Sequence, residues 1–306
     1  MILAGFVNAS TGVLSKNGVD ITHVPAEKRN FGMVFQGYAL FPHLTIFENI
    51  AFGIKHWSKQ DQINRVSYLL DLVGLSGYDD RYPHSLSGGQ QQRIALARAM
   101  APKPRLLLMD EPFSGLDTKL REELVPEIRQ ILLQENMSAI LVTHDQLEAF
   151  AMADQVSVMS EGCIHQTGTA YQIYHRPSTR FVASFMGSPA MNFLSATLEN
   201  GKLLVAGQSI PVPEYSGLNQ EVVLGIRPEH ADTQASEASL KLNMKMSVIE
   251  PLGPNQLVHG KVEGQAFIAV TPETSFELNS VLEMFIAQEN LHLFDAEGKR
   301  IIPKLQ

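Results

Sequence analysis

Residues 106–109, Leu-Leu-Leu-Met, form an unbroken apolar run that ends in two acids, Asp110 and Glu111. A strand with no polar face is buried on both sides, as in a parallel sheet that helices cover on both faces. Residues 139–142 form a further apolar run, and residues 156–159 are apolar except for Ser157; we expect both to be buried strands as well. Because amphipathic stretches separate these runs, the sequence predicts an α/β fold with a parallel sheet.

The helices are predicted from the spacing of apolar residues. A first helix is expected across residues 62–75, where four apolar residues recur at helical intervals: Ile63, Val66, Leu70 and Val73. A second helix is expected after Asp117, with an apolar side made of Leu120, Leu124, Ile128, Ile131 and Leu132. Residues 31–35 predict a further strand, which leads directly into Gln36.

The character of the sequence changes near Ser188 and Pro189, beyond which the helical periodicity fades. Short β-rich segments separated by Gly, Pro and Asn follow at residues 202–205, 221–226, 244–249, 256–262 and 266–270. Such a pattern is typical of a small all-β barrel or sandwich. We therefore expect an α/β domain over residues 1–190 and a β-rich domain over residues 191–306.

Composition narrows the classes of function. The formal net charge is -8, so nothing indicates the basic surface of a general nucleic-acid binder. A single cysteine, Cys163, excludes a disulfide framework within the chain and fits a reducing compartment. No apolar run is long enough to span a membrane, and the first residues are too short and uncharged for a signal peptide. Any role at a membrane must therefore come through a partner.

Residues 86–90, Leu-Ser-Gly-Gly-Gln, precede a helical run and are the most informative local pattern. Ser87 can cap the helix, and the free N–H groups at a helix start attract a phosphate. Gly88 and Gly89 can let a ligand approach the main chain closely. The plain alternative is a helix cap without a ligand.

Asp110 and Glu111 end a predicted buried strand, at the edge of the sheet where α/β proteins bind ligands. Asp110 can hold Mg²⁺, and Glu111 can orient an attacking water or accept its proton. Gln36 and His144 also follow predicted strands, where they could contact Mg²⁺ or a terminal phosphate. Each has a plain alternative: a solvated acidic loop, a polar strand end or a structural histidine.

Five features occur in the order found in ATP-binding subunits of ABC transporters: Gln36, the 86–90 signature, Asp110 with Glu111, the 114–117 turn and His144. The chain resembles these subunits over nearly its whole length. The likeness is closest to the importer subfamily that serves iron(III), polyamines, sugars and glycerol phosphate. Residues 225–230 also look like that subfamily, and the tail in which they lie resembles the small oligonucleotide-fold-like (TOBE-like) regulatory domain of these subunits. The cargo stays open, because some stretches look like iron(III) importers and others like sugar importers.

The resemblance implies an ATPase in which two subunits, either two copies or one copy and a homologue, enclose ATP and Mg²⁺. The signature residues would then contact the γ-phosphate of the ATP bound by the other subunit: Ser87, Gly88, Gly89 and Gln90. Gln36 and Asp110 would serve Mg²⁺ and water, and Glu111 would be the general base. His144 would sense the γ-phosphate, and Asp117 would couple the two sites.

The resemblance also implies partners. Residues 37–52 resemble the surface that docks on an integral membrane permease, through which an external substrate-binding protein acts indirectly. Six apolar or aromatic side chains are candidates for that surface, although local packing is the alternative: Tyr38, Leu40, Phe41, Leu44, Ile46 and Phe47. The subunit would then lie at the cytoplasmic face of the inner membrane and would not bind nucleic acid.

One element of the family pattern is absent from the 306 residues, namely a phosphate-binding loop of the form Gly-x-x-x-x-Gly-Lys-[Ser/Thr]. Residues 1–6 resemble the end of the helix that follows this loop, so we expect a truncated sequence that binds ATP poorly as written. Two other readings remain open. One is a catalytically impaired paralogue or regulatory subunit, and the other is a soluble ABC protein that acts on nucleic acid or ribosomes. The single cassette disfavours the latter.

Overall fold

A computed structural model describes residues 1–234, 239–277 and 279–302. Its chain packs into two compact units, Met1–Ala153 and Asp154–Gln306. The domain boundary at residues 190 and 191 stays a prediction.

The first unit is an α/β unit. Its strands are β1 (Ser15–Lys16), β2 (Val19–Asp20), β3 (Phe31–Val34), β4 (Leu106–Asp110) and β5 (Ser138–Val142). Its helices are α1 (Ile46–Ala51), α2 (Lys59–Leu72), α3 (Gly88–Met100), α4 (Thr118–Gln134) and α5 (Gln146–Met152). Strands β3, β4 and β5 form a parallel sheet in that order, with Leu108 of β4 opposite Met33 on one side and Ile140 on the other. This register brings the carboxyl ends of the three strands to one edge.

Helix α2 begins three residues earlier than the apolar spacing predicts. The Ser58 side chain accepts a hydrogen bond from the main-chain N–H of Asp61, which fixes the helix start at Lys59. Gly74 takes a φ of 68° just beyond the end, as is usual after a helix. The face that carries Val66, Leu69 and Leu70 is fully buried in the core of the first unit.

Two strands that we expected to be buried on both faces are partly exposed in the structure. Strand β5 has only β4 as a neighbour among the described residues, so Ile140 and Val142 are 40% and 54% exposed. Residues 156–159 do not join the parallel sheet at all, because strand β6 (Val156–Ser160) pairs antiparallel with β7 (Cys163–Gly168) in the second unit. Burial alternates along β6, so Met159 is exposed while Val158 is buried. An apolar run therefore did not mean burial on both faces here.

The second unit is mostly antiparallel. After β6 and β7 come two short helices, α6 (Ala170–His175) and α7 (Arg180–Phe185). A five-stranded sheet follows, in the order β10-β9-β8-β11-β16, and a four-stranded sheet in the order β14-β13-β12-β15. Their bounds are β8 Asn192–Glu199, β9 Lys202–Val205, β10 Gln208–Pro211, β11 Gln220–Ile226, β12 Ser239–Leu252, β13 Asn255–Val262, β14 Gln265–Pro272, β15 Val281–Ala287 and β16 His292–Phe294.

The two sheets share one core, in which Leu194 and Leu224 of the first sheet join Leu242, Val258 and Phe267 of the second. All five β-rich segments expected from the sequence are strands, so the prediction of an α/β part followed by an all-β part is confirmed. Within the described ranges, no helix combines the length and the hydrophobicity that crossing a membrane requires.

Candidate functional site

Three side chains meet where the parallel strands end. Gln36 Nε2 donates to Glu111 Oε2 at 3.1 Å, and His144 Nδ1 lies 3.3 Å from Glu111 Oε1. Gln36 follows β3, Glu111 follows β4, and His144 lies just after β5. The structure therefore brings together three residues that are 33 to 108 positions apart, because parallel strands in register end at the same edge.

The carboxylate of Glu111 is held by an unusual main chain. Its φ is 44°, which lies in the left-handed region that side chains other than glycine rarely adopt. The Glu111 N–H donates to Val142 O at 2.8 Å, and the Glu111 carbonyl accepts from Ser114 Oγ at 3.0 Å. The side chain is 32% exposed, so a water molecule can reach it. A partly exposed carboxylate between an amide and an imidazole can orient water and accept its proton.

Asp110 and Gln36 are suited to a divalent cation. Asp110 ends β4 and is half-buried, and the described residues offer its carboxylate no hydrogen-bond or ion-pair partner. Gln36 turns its amide nitrogen towards Glu111, which leaves its oxygen free. No cluster of three His, Cys, Asp or Glu side chains that could hold a metal ion occurs in the described part. The two oxygens fit Mg²⁺, which takes one or two protein ligands and completes its shell with phosphate and water.

The signature turn is a helix cap of a specific kind. Ser87 is the N-cap of α3: the Gln90 N–H donates to Ser87 Oγ at 3.4 Å, and the Ser87 N–H donates to Gln90 Oε1 at 3.0 Å. This capping box confirms the predicted cap and fixes the Gln90 side chain at the turn. Ser87 is exposed, and the N–H groups of the first helical turn point out of the helix end.

The two glycines of the turn differ in their surroundings. Gly89 is buried, and a Cβ there would stand 2.9 Å from Leu120 Cδ2 and 3.2 Å from Leu124 Cδ1. Its lack of a side chain therefore serves the packing of α3 on α4 rather than the approach of a ligand. Gly88 is half-buried and has more room, since its nearest neighbours would be Leu116 and Tyr38 at 3.4 and 3.5 Å.

Asp117 occupies the N-cap of α4, where its carboxylate accepts a hydrogen bond from the Leu120 N–H at 3.0 Å. One turn further, Arg121 donates to Asp145 Oδ2 at 2.6 Å and to the carbonyl of Leu116 at 3.1 Å. Arg121 therefore ties the 114–117 turn to the residue that follows His144. Arg121 could not be recognised from the sequence, because nothing local marks an arginine that bonds across 24 residues.

A second acid, Glu148, supports the loop of residues 143–145 that carries His144 (the His144 loop). Glu148 is 4% exposed, accepts from Thr143 Oγ1 at 2.5 Å and lies 3.5 Å from Arg121 Nε. Burial raises the pKa of Glu148 above its ordinary value. Burial also works against ionisation of Asp145, but hydrogen bonds from the Leu147 N–H and from Arg121 bring its pKa below the ordinary value. The His144 loop is thus fixed by a network and not by the histidine itself, which is 73% exposed.

The segment of residues 37–52 packs on the first unit more than its sequence indicates. Ile46, one of the six candidates for a docking surface, is fully buried in the core. Phe41 is half-buried, and its ring centroid lies 4.5 Å from that of Phe52, which is itself 44% exposed. The loop before α1 is held by the fully buried Asn49, whose amide accepts from the Phe41 N–H and donates to the carbonyls of residues 41, 44 and 45. No local sequence signal identifies Asn49 as the residue that holds this loop.

Comparison with known proteins adds independent findings. Residues 1–114 match the family described as ABC transporter, and residues 187–231 match the family described as MalK OB fold domain. The chain is 41% identical to the sn-glycerol-3-phosphate import ATP-binding protein UgpC of Vibrio cholerae, over 98% of this chain and 82% of that protein. It is 42% identical to UgpC of Vibrio vulnificus, with 98% and 82% covered. It is 38% identical to UgpC of a Jannaschia species, with 98% and 86% covered.

Proposed function

This chain belongs to the ATP-binding subunits of ABC importers, which are ATPases coupled to transport, and we propose specific roles for its residues in that reaction. The observation that carries the proposal is the convergence of Gln36 and His144 on the Glu111 carboxylate at the strand ends. The carboxylate is partly exposed, so water can reach it, as water activation at a γ-phosphate requires.

In the proposed reaction, Glu111 orients the attacking water and accepts its proton. Gln36 holds one carboxylate oxygen from one side, and His144 lies against the other oxygen, where it can also donate towards a phosphate. Asp110 and Gln36 would hold Mg²⁺, which neutralises charge on the phosphate oxygens. The left-handed main chain of Glu111 fixes where its carboxylate points before ATP binds.

The signature turn serves the ATP of a neighbouring subunit in this proposal. The Gln90 N–H is taken up by Ser87, so the N–H groups of Gly88 and Gly89 are the ones left to bind phosphate oxygens, beside the exposed Ser87 hydroxyl. The partner is a second copy of this chain or a homologous ATPase subunit. Asp117, which starts α4 close to the signature turn, would couple the two sites through the cap that it forms.

The transport context is proposed from the relatives. Several of them are named as ATP-binding proteins for the import of sn-glycerol 3-phosphate, so this is the cargo we propose. The permease would dock near residues 37–52, where Phe52 is exposed beside Phe41. The subunit would lie peripherally at the cytoplasmic face of the inner membrane and would act on an external binding protein only through the permease.

A mixed-subunit ATPase assay tests the proposed role of the signature turn. The partner is an importer ATPase that carries the Gly-x-x-x-x-Gly-Lys-[Ser/Thr] loop and whose own signature serine is replaced by arginine. That partner alone lacks a working signature and should not hydrolyse ATP. Adding this protein should restore hydrolysis, because Ser87 and the α3 N-terminus complete the site of the partner.

The control is the Ser87→Arg variant, which should restore nothing while it remains folded. If the wild-type protein gives no more hydrolysis than Ser87→Arg, the turn does not act in trans and the proposal fails. The cargo is tested separately by uptake of labelled sn-glycerol 3-phosphate in cells with and without the gene. Unchanged uptake on deletion would remove that cargo.

A further inference from the structure

Tyr38 lies where three elements of the proposed site meet. It follows Gln36 by two residues, and its half-buried ring packs against the core of the first unit. Its hydroxyl oxygen lies 3.5 Å from the position that a Cβ would take on Gly88 and 3.3 Å from that on Gly115. The hydroxyl therefore stands between the signature turn and the 114–117 turn, and the absence of a side chain at both glycines makes room for it.

The main chain around Tyr38 is held in an uncommon conformation. Gly37, Tyr38 and Ala39 all take a positive φ, of 76°, 65° and 48°. Consecutive residues of this kind are costly unless neighbouring groups fix them. Arg98 provides this support, because its guanidinium donates to Ala39 O at 2.7 Å and to Tyr38 O at 2.9 Å. Arg98 belongs to α3, so the segment contacts this helix near both its ends.

The Tyr38 hydroxyl is buried and has no hydrogen-bond partner among the described residues. A buried hydroxyl without a partner destabilises a protein, whereas phenylalanine would fill the same space without that cost. Burial also raises the pKa of Tyr38, so the hydroxyl keeps its proton and remains a donor near neutral pH. Packing of the ring therefore does not account for a tyrosine rather than a phenylalanine at position 38.

We propose that Tyr38 is a positioning residue of the shared ATP site, whose hydroxyl bonds to the main chain of the signature turn or the 114–117 turn once the signature turn closes on ATP. The inference rests on the proposed function of the signature turn. In the closed state the bond would lock one of these two turns to the segment that carries Gln36. The hydroxyl is thus satisfied in the working state and unsatisfied in the state seen here.

The test is Tyr38→Phe in the mixed-subunit assay, with this protein supplied in excess. One neutral hydrogen bond that forms only in the closed state corresponds to a kcat lower by about two- to tenfold. The KM for ATP should not change, because the ATP is bound by the loop of the other subunit. The melting temperature should stay the same or rise, since the variant removes an unpartnered buried hydroxyl. A merely structural tyrosine would lower the melting temperature and leave kcat unchanged.

Tyr68→Phe is the matched control. The Tyr68 hydroxyl on α2 already donates to Glu135, which follows α4, so its loss should reduce stability and leave kcat as in the wild type. If Tyr38→Phe turns ATP over as fast as the wild type, the inference is wrong and the proposed function stands. If the wild-type protein itself restores no hydrolysis, the Tyr38 inference and the proposed role of the signature turn are both wrong. This result differs from the first, in which both proteins are active and only the Tyr38 inference is wrong.

Discussion

Replacing Asn49 by leucine tests whether one buried amide organises the loop before α1. Leucine has nearly the same size and shape, so the change removes hydrogen bonds without opening a large cavity. The amide oxygen accepts from the Phe41 N–H at 2.8 Å, and the amide nitrogen lies 3.0–3.1 Å from the carbonyls of Phe41, Leu44 and Thr45. An amide nitrogen has two hydrogens, so the side chain itself can satisfy at most two of these three carbonyls at once.

The expected loss follows from the groups left behind. The Asn49 side chain is fully buried, but Phe41 is half-buried, so part of the exposed main chain can still reach water. The Phe41 N–H and the Leu44 carbonyl lose their only partner, whereas the carbonyls of Phe41 and Thr45 keep main-chain bonds from the N–H groups of Leu44 and Asn49. An unsatisfied buried group costs about 1–3 kcal/mol, so with two groups at the low end of that range we expect a loss of about 2–3 kcal/mol. Leucine regains some of this through its apolar surface, which is why the low end applies.

Urea unfolding followed by the fluorescence of Trp57 measures the effect. Trp57 is the single tryptophan and lies in the same unit as Asn49, so its signal reports on this unit rather than on the second one. Asn64→Leu on α2 is the matched control, because exposed Asn64 only accepts a bond from Gln60 and should change stability by about 0.5 kcal/mol or less. A loss for Asn49→Leu no larger than that of the control would refute the reasoning.

Three further outcomes are expected. In a version of the protein extended at its N-terminus by the phosphate-loop segment of a relative, Glu111→Gln should bind ATP yet hydrolyse it about 10²–10⁴-fold more slowly, and near-normal turnover would exclude Glu111 as the base. Burial lowers the pKa of His292 to about 3, whereas an unfolded histidine titrates near 6.5, so only the unfolded chain gains a proton as pH falls from about 6.5 to 3. The free energy of unfolding should therefore decrease as the pH is lowered through that window, by up to about 1.4 kcal/mol per pH unit. Circular dichroism melts should show a weaker dependence on pH for His292→Leu than for the wild type or for a control variant at an exposed histidine, His165→Leu. Gly32→Ala would place a Cβ 2.7 Å from the carbonyl oxygen of Ala99 and should cost about 1–3 kcal/mol in the same fluorescence assay; an unchanged midpoint would mean that the strand shifts freely.

Much of the site could be predicted because its determinants are local. The capping box of Ser87 and Gln90 lies within four residues, so the pattern alone indicates the start of α3. The meeting of Gln36, Glu111 and His144 follows from parallel strands that end at a common edge, which needs only the strand assignment. The roles of these residues in catalysis remain predictions.

What could not be predicted depends on contacts between distant segments. The burial of Ile46 and the exposure of Val142 are decided by which elements lie next to them, and an apolar residue looks the same in both places. Arg98 reaches the carbonyl of Ala39 across 59 residues, and Arg121 reaches Asp145 across 24. Arginines on amphipathic helices carry no local mark of such bonds, so only the structure shows them.

The left-handed main chain of Glu111 bears on any effort to make this protein more robust. Glycine is at ease at a φ of 44°, whereas a glutamate there carries a strain of about 1–2 kcal/mol. Selection for heat resistance alone would therefore reward Glu111→Gly, which relaxes the turn and deletes the carboxylate. A variant library screened only by melting temperature would drift towards well-folded proteins without the proposed base, so activity must be selected alongside stability at this position.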